Sequence, residues 1–115
     1  MTSPEPTTSA AEGGTSTPAY LILMRKMVDP ELAERYLAGS GPVTQAFGGE
    51  YLVRGAVPTV LEGRSYSDGY GAVIVKFPSS ERASEFYHSK EYAPWREMAQ
   101  QAFERHMIMV DGLTP

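Results

Sequence analysis

Residues 70–77 read YGAVIVKF, an apolar run opened by Gly69 and closed by Pro78. The run is too short for a helix, rich in β-branched residues and bounded by turn formers, so it reads as a strand. Its apolar residues fill both alternating sets, Val73 and Val75 on one side and Ala72 and Ile74 on the other. A strand of this kind has both faces covered.

Downstream, Pro78-Ser79-Ser80 stops the strand and offers a cap for a helix whose apolar stripe is Ala83, Phe86 and Tyr87. Residues 89–93 interrupt that helix. Pro94 suits a fresh first turn, and Trp95, Met98, Ala102 and Phe103 carry the apolar face onward. Residues 106–110 (HMIMV) then form a last strand, which His106 opens and Asp111-Gly112 ends.

Upstream, residues 62–69 are a polar turn, and residues 50–54 (EYLVR) are a strand. Gly55-Ala56 marks a bulge or bend, after which residues 57–61 continue extended. Asp29-Pro30-Glu31 is a strong helix start: a capping carboxylate, a proline at the first helical position and an acid at the positive end of the dipole. Leu32, Ala33, Tyr36 and Leu37 follow at helical spacing. Gly39-Ser40-Gly41-Pro42 is expected to break the helix, leaving a second helical piece with Val43, Ala46 and Phe47 that ends at Gly48-Gly49. Residues 19–27 (AYLILMRKM) are the first strand.

The resulting order, β-α-β-β-α-β, is the ferredoxin-like α+β pattern, an antiparallel four-stranded sheet with its helices on one face. Leu21/Leu23 and Ile22/Met24, like Met107/Met109 and Ile108/Val110, repeat the two-sided apolar character of residues 70–77. The chain has no further element to lay over the second face. A second copy of the sheet is the simplest cover, which predicts a homodimer with sheets packed face to face.

At 115 residues the chain has room for one ordinary core. Residues 1–18 (MTSPEPTTSAAEGGTSTP) hold no aromatic and no branched aliphatic residue, and are expected to be a disordered tail preceding a domain over residues 19–113. The absence of cysteine excludes disulfides and thiolate metal sites, and the only histidines, His88 and His106, are far apart, so no metal site is expected. A net charge of −4 and no basic run longer than Arg25-Lys26 argue against nucleic acid. The longest apolar run, near residues 19–24, is far below a membrane span, and the N-terminus lacks a signal-peptide pattern. A cytoplasmic location follows as the expectation. No P-loop, Rossmann, zincin or nucleophile-elbow word occurs.

Several words resemble the domain-of-unknown-function family 1330 of the dimeric α/β-barrel superfamily: Ala19-Tyr20, Asp29-Pro30-Glu31, residues 48–55 (GGEYLVRG), Leu61-Glu62-Gly63, Phe77-Pro78-Ser79, Tyr87, Ser89, Glu91-Tyr92 and Val110-Asp111-Gly112. The resemblance spans residues 19–113 and implies the fold and the dimer. The wider superfamily includes cofactor-free monooxygenases, lactone isomerases, haem proteins and ligand-binding regulatory domains. The family often has His where this chain has Phe47, Arg where Ala99 aligns, and a basic residue where His106 stands. If those positions line a pocket, the changes make it more apolar and add a titratable group.

Arg54, in mid-strand, needs a partner if buried. That partner is either an ion-paired carboxylate, Glu62 or Glu91, or an anionic ligand such as a carboxylate or enolate, which the planar guanidinium suits. The family word also places Arg54 at a site. His106 has the residue type for a proton carrier near neutral pH, or is a plain strand-end histidine. Tyr20, Phe47, Tyr51, Tyr87, Tyr92 and Trp95, with Glu62 beside Arg54, are the candidates to line a pocket between sheet and helices for a flat apolar molecule. The leading expectation is therefore a homodimeric enzyme without a cofactor, with Arg54 and His106 catalytic. It would act on a hydrophobic or aromatic, polyketide-like metabolite by proton transfer, cyclisation, isomerisation or oxygenation. The alternative is a non-catalytic ligand-binding dimer of the same fold; a haem protein is disfavoured because neither histidine has a clear proximal position.

Overall fold

The computed structural model describes residues 17–64, 66 and 69–114. The expected tail therefore lies outside the described residues except for Thr17 and Pro18, as does part of the turn after residue 62. Four strands and three helices follow in the order β1 (Ala19–Met27), α1 (Pro30–Ala46), β2 (Glu50–Ala56), β3 (Tyr70–Phe77), α2 (Ser80–His88), α3 (Ala93–Ala102) and β4 (Phe103–Asp111). The strands form one antiparallel sheet in the order β2-β3-β1-β4. This is the ferredoxin-like α+β architecture. No described helix is long and apolar enough to cross a membrane.

The sheet splits its side chains by period two. Leu21, Leu23, Val73, Val75, Phe77 and Phe103 face the helices and form one core with Ala33, Tyr36, Ala83, Phe86, Tyr92, Ala99 and Ala102. The opposite face carries Tyr20, Ile22, Met24, Ala72 and Ile74, half-buried, and Ile108 and Val110, exposed. Among the described residues no element covers that face. Both helix starts behave as their residues dictate: the Asp29 carboxylate accepts from Leu32 N–H at 3.2 Å, and the Ser79 hydroxyl from Arg82 N–H at 3.1 Å.

Three expectations on element boundaries need correction. First, α1 runs unbroken through Gly39-Ser40-Gly41-Pro42. Proline removes one intrahelical donor, but the carbonyl it would have served belongs to Ala38, which is exposed and can be hydrated. Ser40, Gly41 and Thr44 are buried along the inner side, so packing outweighs local propensity. Gly39 serves as a contact rather than a break, since a Cβ there would sit 2.1 Å from the Trp95 indole.

Second, β4 begins at Phe103, so His106 lies inside the strand and Phe103 belongs to no helix. The polar run Glu104-Arg105-His106 pairs in register with Lys26, Arg25 and Met24 of β1. Third, residues 57–60 carry no regular structure, and β2 ends at Ala56. The bulge expected at Gly55 is present, with φ +88° there, and a second register shift falls between Tyr51 and Val53. That second bulge matters for the site. Tyr51 and Arg54 are an odd number of residues apart and would point to opposite faces of a regular strand. With the bulge they stand opposite Val75 and Val73, both core residues, so both side chains face the helices.

Candidate functional site

Between the sheet and the helices lies a cavity of about 30 Å³. A water molecule needs roughly 10–15 Å³ on the same measure, so the interior has space for a small polar head group and not for a ring system. Its polar walls are unusual in kind. Arg25 of β1, Arg54 of β2 and Arg105 of β4 all line it, together with Tyr36, Tyr51 and Tyr92, and among the described residues no Asp or Glu does.

The register explains the convergence. Arg25 and Arg105 are cross-strand partners on the helix side of the sheet, continuing the inward rows that begin with Leu21/Leu23 and Met109/Met107. On its other side Arg25 faces Gly71, which has no side chain to fill the space. The Arg25 guanidinium extends over that gap towards β2, with Nη2 3.5 Å from where a Cβ on Gly55 would be. The three cations therefore form a row across the sheet, Arg105, Arg25, Arg54.

Each cation is met by an aromatic ring. Arg54 lies 4.3 Å from the Tyr51 ring centroid, Arg25 5.0 Å from that of Phe103 and Arg105 5.7 Å from that of Tyr36. Arg105 Nη2 donates to the Tyr92 hydroxyl at 3.3 Å, and the Tyr92 and Tyr36 hydroxyls are 2.7 Å apart. Arg54 Nη2 donates to the Leu37 carbonyl at 3.4 Å. Among the described residues none of the three has a carboxylate partner, and the ion pair found there, Arg82 with Glu85 at 2.6 Å, is elsewhere. The alternative partners weighed for Arg54, Glu62 and Glu91, are both exposed and make no such pair.

Burial moves the titrations in opposite directions. Desolvation lowers the Arg25 pKa, with the neighbouring Arg105 and Arg54 charges adding to the fall. Desolvation alone would lower Arg105 too, but Tyr92 and Tyr36 more than offset it and the net shift is upward. The Tyr92 hydroxyl is pushed far above the ordinary tyrosine value, by burial first and then by Tyr36. At neutral pH Arg25 and Arg105 are thus cations and the Tyr92 hydroxyl is a neutral donor.

Of the residues expected at a site, the structure brings Arg54, Tyr51 and Tyr92 together at this cavity. The others lie elsewhere. His106 is exposed on the open face of the sheet, opposite Met24, and does not reach Arg54. Tyr20 is on that same open face, opposite Lys76 and Val110. Phe47 packs edge-on against Phe86, and Trp95 packs against Gly39 and Tyr36 in the seam between α1 and α3. Glu62 is exposed beyond β2. Tyr87 lines a separate, open groove of about 280 Å³ between α2 and β4, whose walls Leu21 and Met107 are shared with the cationic cavity. Ala99 is fully buried in α3, and neither it nor Phe47 touches the cavity, so those two departures from the family pattern do not make it more apolar.

Arg25, Arg105 and Tyr36 were not anticipated. A signal existed for the first: on the inward set of residues 19–27, Arg25 follows Leu21 and Leu23. Arg105 had none, because its strand was placed three residues too late.

A model of the domain of unknown function DUF1330 matches residues 18–113. Among solved structures, RPA0582, a protein of unknown function from Rhodopseudomonas palustris, is similar with a TM-score of 0.68 and 20% identity, over 96% of this chain and 97% of that one. Methylated RPA0582 is similar to the same degree, with a TM-score of 0.68 and 20% identity over 96% and 95% of the two chains. SnoaB, a cofactor-independent oxygenase from Streptomyces nogalater, is similar with a TM-score of 0.59 and 9% identity, over 87% and 97%. No curated protein matches the sequence.

Proposed function

Given that the chain belongs to the DUF1330 family, whose name assigns no reaction, we propose from the site itself that this protein is a small homodimeric enzyme. It would need no cofactor, and would act on the anionic form of a hydrophobic or aromatic metabolite. The observation that carries the proposal is the row of three guanidinium groups facing one cavity with no carboxylate among its described walls. Arg25 and Arg105 are half-buried with no carboxylate partner among the described residues, and a cation drawn partly out of water in this way carries a desolvation cost. A ligand oxyanion recovers that cost through charge-assisted hydrogen bonds.

An enolate or phenolate formed on the substrate would be held by Arg54, stacked on Tyr51 at the exposed end of the row. Three nearby cations lower the pKa of a substrate C–H or O–H enough for solvent water or hydroxide to take the proton, and the enolate left behind is the common intermediate of isomerisation, cyclisation and oxygenation by O2. The fold shared with SnoaB supports this reading by analogy alone. The interior takes the charged head. The groove beyond Met107 offers apolar surface for the remainder of the molecule, and a methionine thioether turns aside readily.

The partner proposed for the open face of the sheet is a second copy of this chain, because β1, β3 and β4 contribute apolar side chains to a surface that no described element covers. His106 is on that surface, away from the cavity, and takes no part in the proton transfer proposed here. A second reading, a non-catalytic binding dimer, is favoured by one feature: the titratable groups of the cavity are arginines and tyrosines, none of them a base at neutral pH.

One experiment separates the two. The protein is incubated in deuterated water with an enolisable 1,3-diketone, and exchange is followed by NMR beside a binding titration. Faster exchange that is lost in Arg54→Gln supports the enzyme. Binding without faster exchange supports the binding dimer. Absence of both overturns the proposal.

A further inference from the structure

We infer that the preferred ligand is an organic acid with two anionic oxygen groups, one of them a carboxylate seated between Arg25 and Arg105 and the other reaching Arg54. This rests on the reading of the cavity as an anion site and adds the class of acid. Charge is the first argument. Three guanidinium groups and, among the described residues, no acidic side chain line the cavity, so a monoanion leaves two of the three positive charges uncompensated and a dianion leaves one.

Geometry is the second. Arg25 and Arg105 are direct cross-strand partners on the inner face, and the Arg25 guanidinium leans from there towards β2, so the two cations flank one stretch of the cavity wall. The cation of each is already fixed in direction, Arg25 over the Phe103 ring and Arg105 by the Tyr92 hydroxyl at 3.3 Å. Two oriented forks match the two oxygens of a carboxylate. Arg54 stands two strands away from β1, on β2, stacked on Tyr51 and exposed. Neighbouring strands are about 4.8 Å apart, so two oxyanions several ångströms apart on one small scaffold span the row, whereas a single carboxylate does not. The cavity volume of about 30 Å³ agrees with a buried head group and an outer group at the mouth.

The test compares isophthalate, benzoate and inorganic phosphate by isothermal titration calorimetry at low ionic strength on the unmodified protein. Isophthalate is expected to bind about tenfold or more tightly than benzoate, the increment of one added charge-assisted contact. That advantage should disappear in Arg54→Gln and be partly restored in Arg54→Lys, whereas Arg105→Gln should weaken isophthalate and benzoate alike. Equal affinities for isophthalate and benzoate overturn the two-headed acid and leave the anion site standing. Phosphate that binds as tightly as isophthalate and displaces it overturns the carboxylate class. No binding of any of the three overturns both this inference and the proposed function. Because the main comparison uses the unmodified protein, it does not depend on the variants folding.

Discussion

Gly39→Ala is expected to destabilise the protein, against the ordinary rule. In a helix interior, alanine is favoured over glycine by about 1 kcal/mol, and Gly39 lies well within α1. A Cβ at this position would meet Trp95 Cη2 at 2.1 Å, Cζ3 at 2.7 Å and Cζ2 at 2.9 Å. To regain an ordinary contact near 3.4 Å the indole must retreat by about 1.3 Å. Such overpacking costs about 1–3 kcal/mol. The retreat also disturbs the edge-on contact of Trp95 with Tyr36, now at 6.5 Å between centroids and 69° between planes, a pair contributing about 0.5–1.5 kcal/mol. Set against the helix gain, the net loss is about 1–3 kcal/mol, and a domain of this size then melts roughly 5–15 °C lower. Thermal unfolding followed by circular dichroism measures this. The same substitution in a Trp95→Ala background should change sign and raise stability by about 1 kcal/mol relative to Trp95→Ala alone. If Gly39→Ala alone leaves the melting temperature unchanged or raises it, the packing account of α1 against α3 is wrong.

Alkaline stability should report on Tyr92. Its folded pKa is raised, mainly by burial, so the unfolded chain releases this proton near pH ~10 while the folded chain keeps it. The contribution is therefore complete below that pH and lost above it, at up to about 1.4 kcal/mol per pH unit; urea titrations across this range should show that component absent in Tyr92→Phe. Ser79→Ala removes the hydroxyl that accepts from Arg82 N–H at 3.1 Å and should cost about 1 kcal/mol in the same unfolding assay. Ile108→Asp places a charge on the open face of the sheet, where Ile108 is exposed in the single chain. It should leave the far-ultraviolet spectrum intact and convert a sedimenting dimer to monomer, and an unmodified protein that already sediments as a monomer removes the homodimer from the account.

What could be read from the sequence was the part determined locally. Residues 19–27 and 70–77 were legible because apolar runs ended abruptly at Pro, Gly or charge, and the starts of α1 and α2 because Asp29 and Ser79 are capping residues next to their helices. The continuity of α1 was not legible, because Gly39 is tolerated only through a distant tryptophan. The site was half legible for a similar reason. Arg54 stood out as a charge inside a strand, but its sharing a face with Tyr51 depends on a bulge between Tyr51 and Val53 that no local residue type announces. Arg25 and Arg105 become neighbours only once β1 and β4 pair. His106 drew attention by its chemistry, and the same register turns it to the opposite face.

The most direct test of the cationic cavity is a crystal structure of the protein with 3-bromobenzoate, in which the anomalous signal of bromine locates the ligand without reference to its shape. The account predicts bromine at the mouth of the cavity, near Arg54, with the carboxylate within hydrogen-bond distance of at least one of Arg25, Arg54 and Arg105. Bromine found only at other surfaces, with the three guanidinium groups unchanged and no density among them, would contradict it.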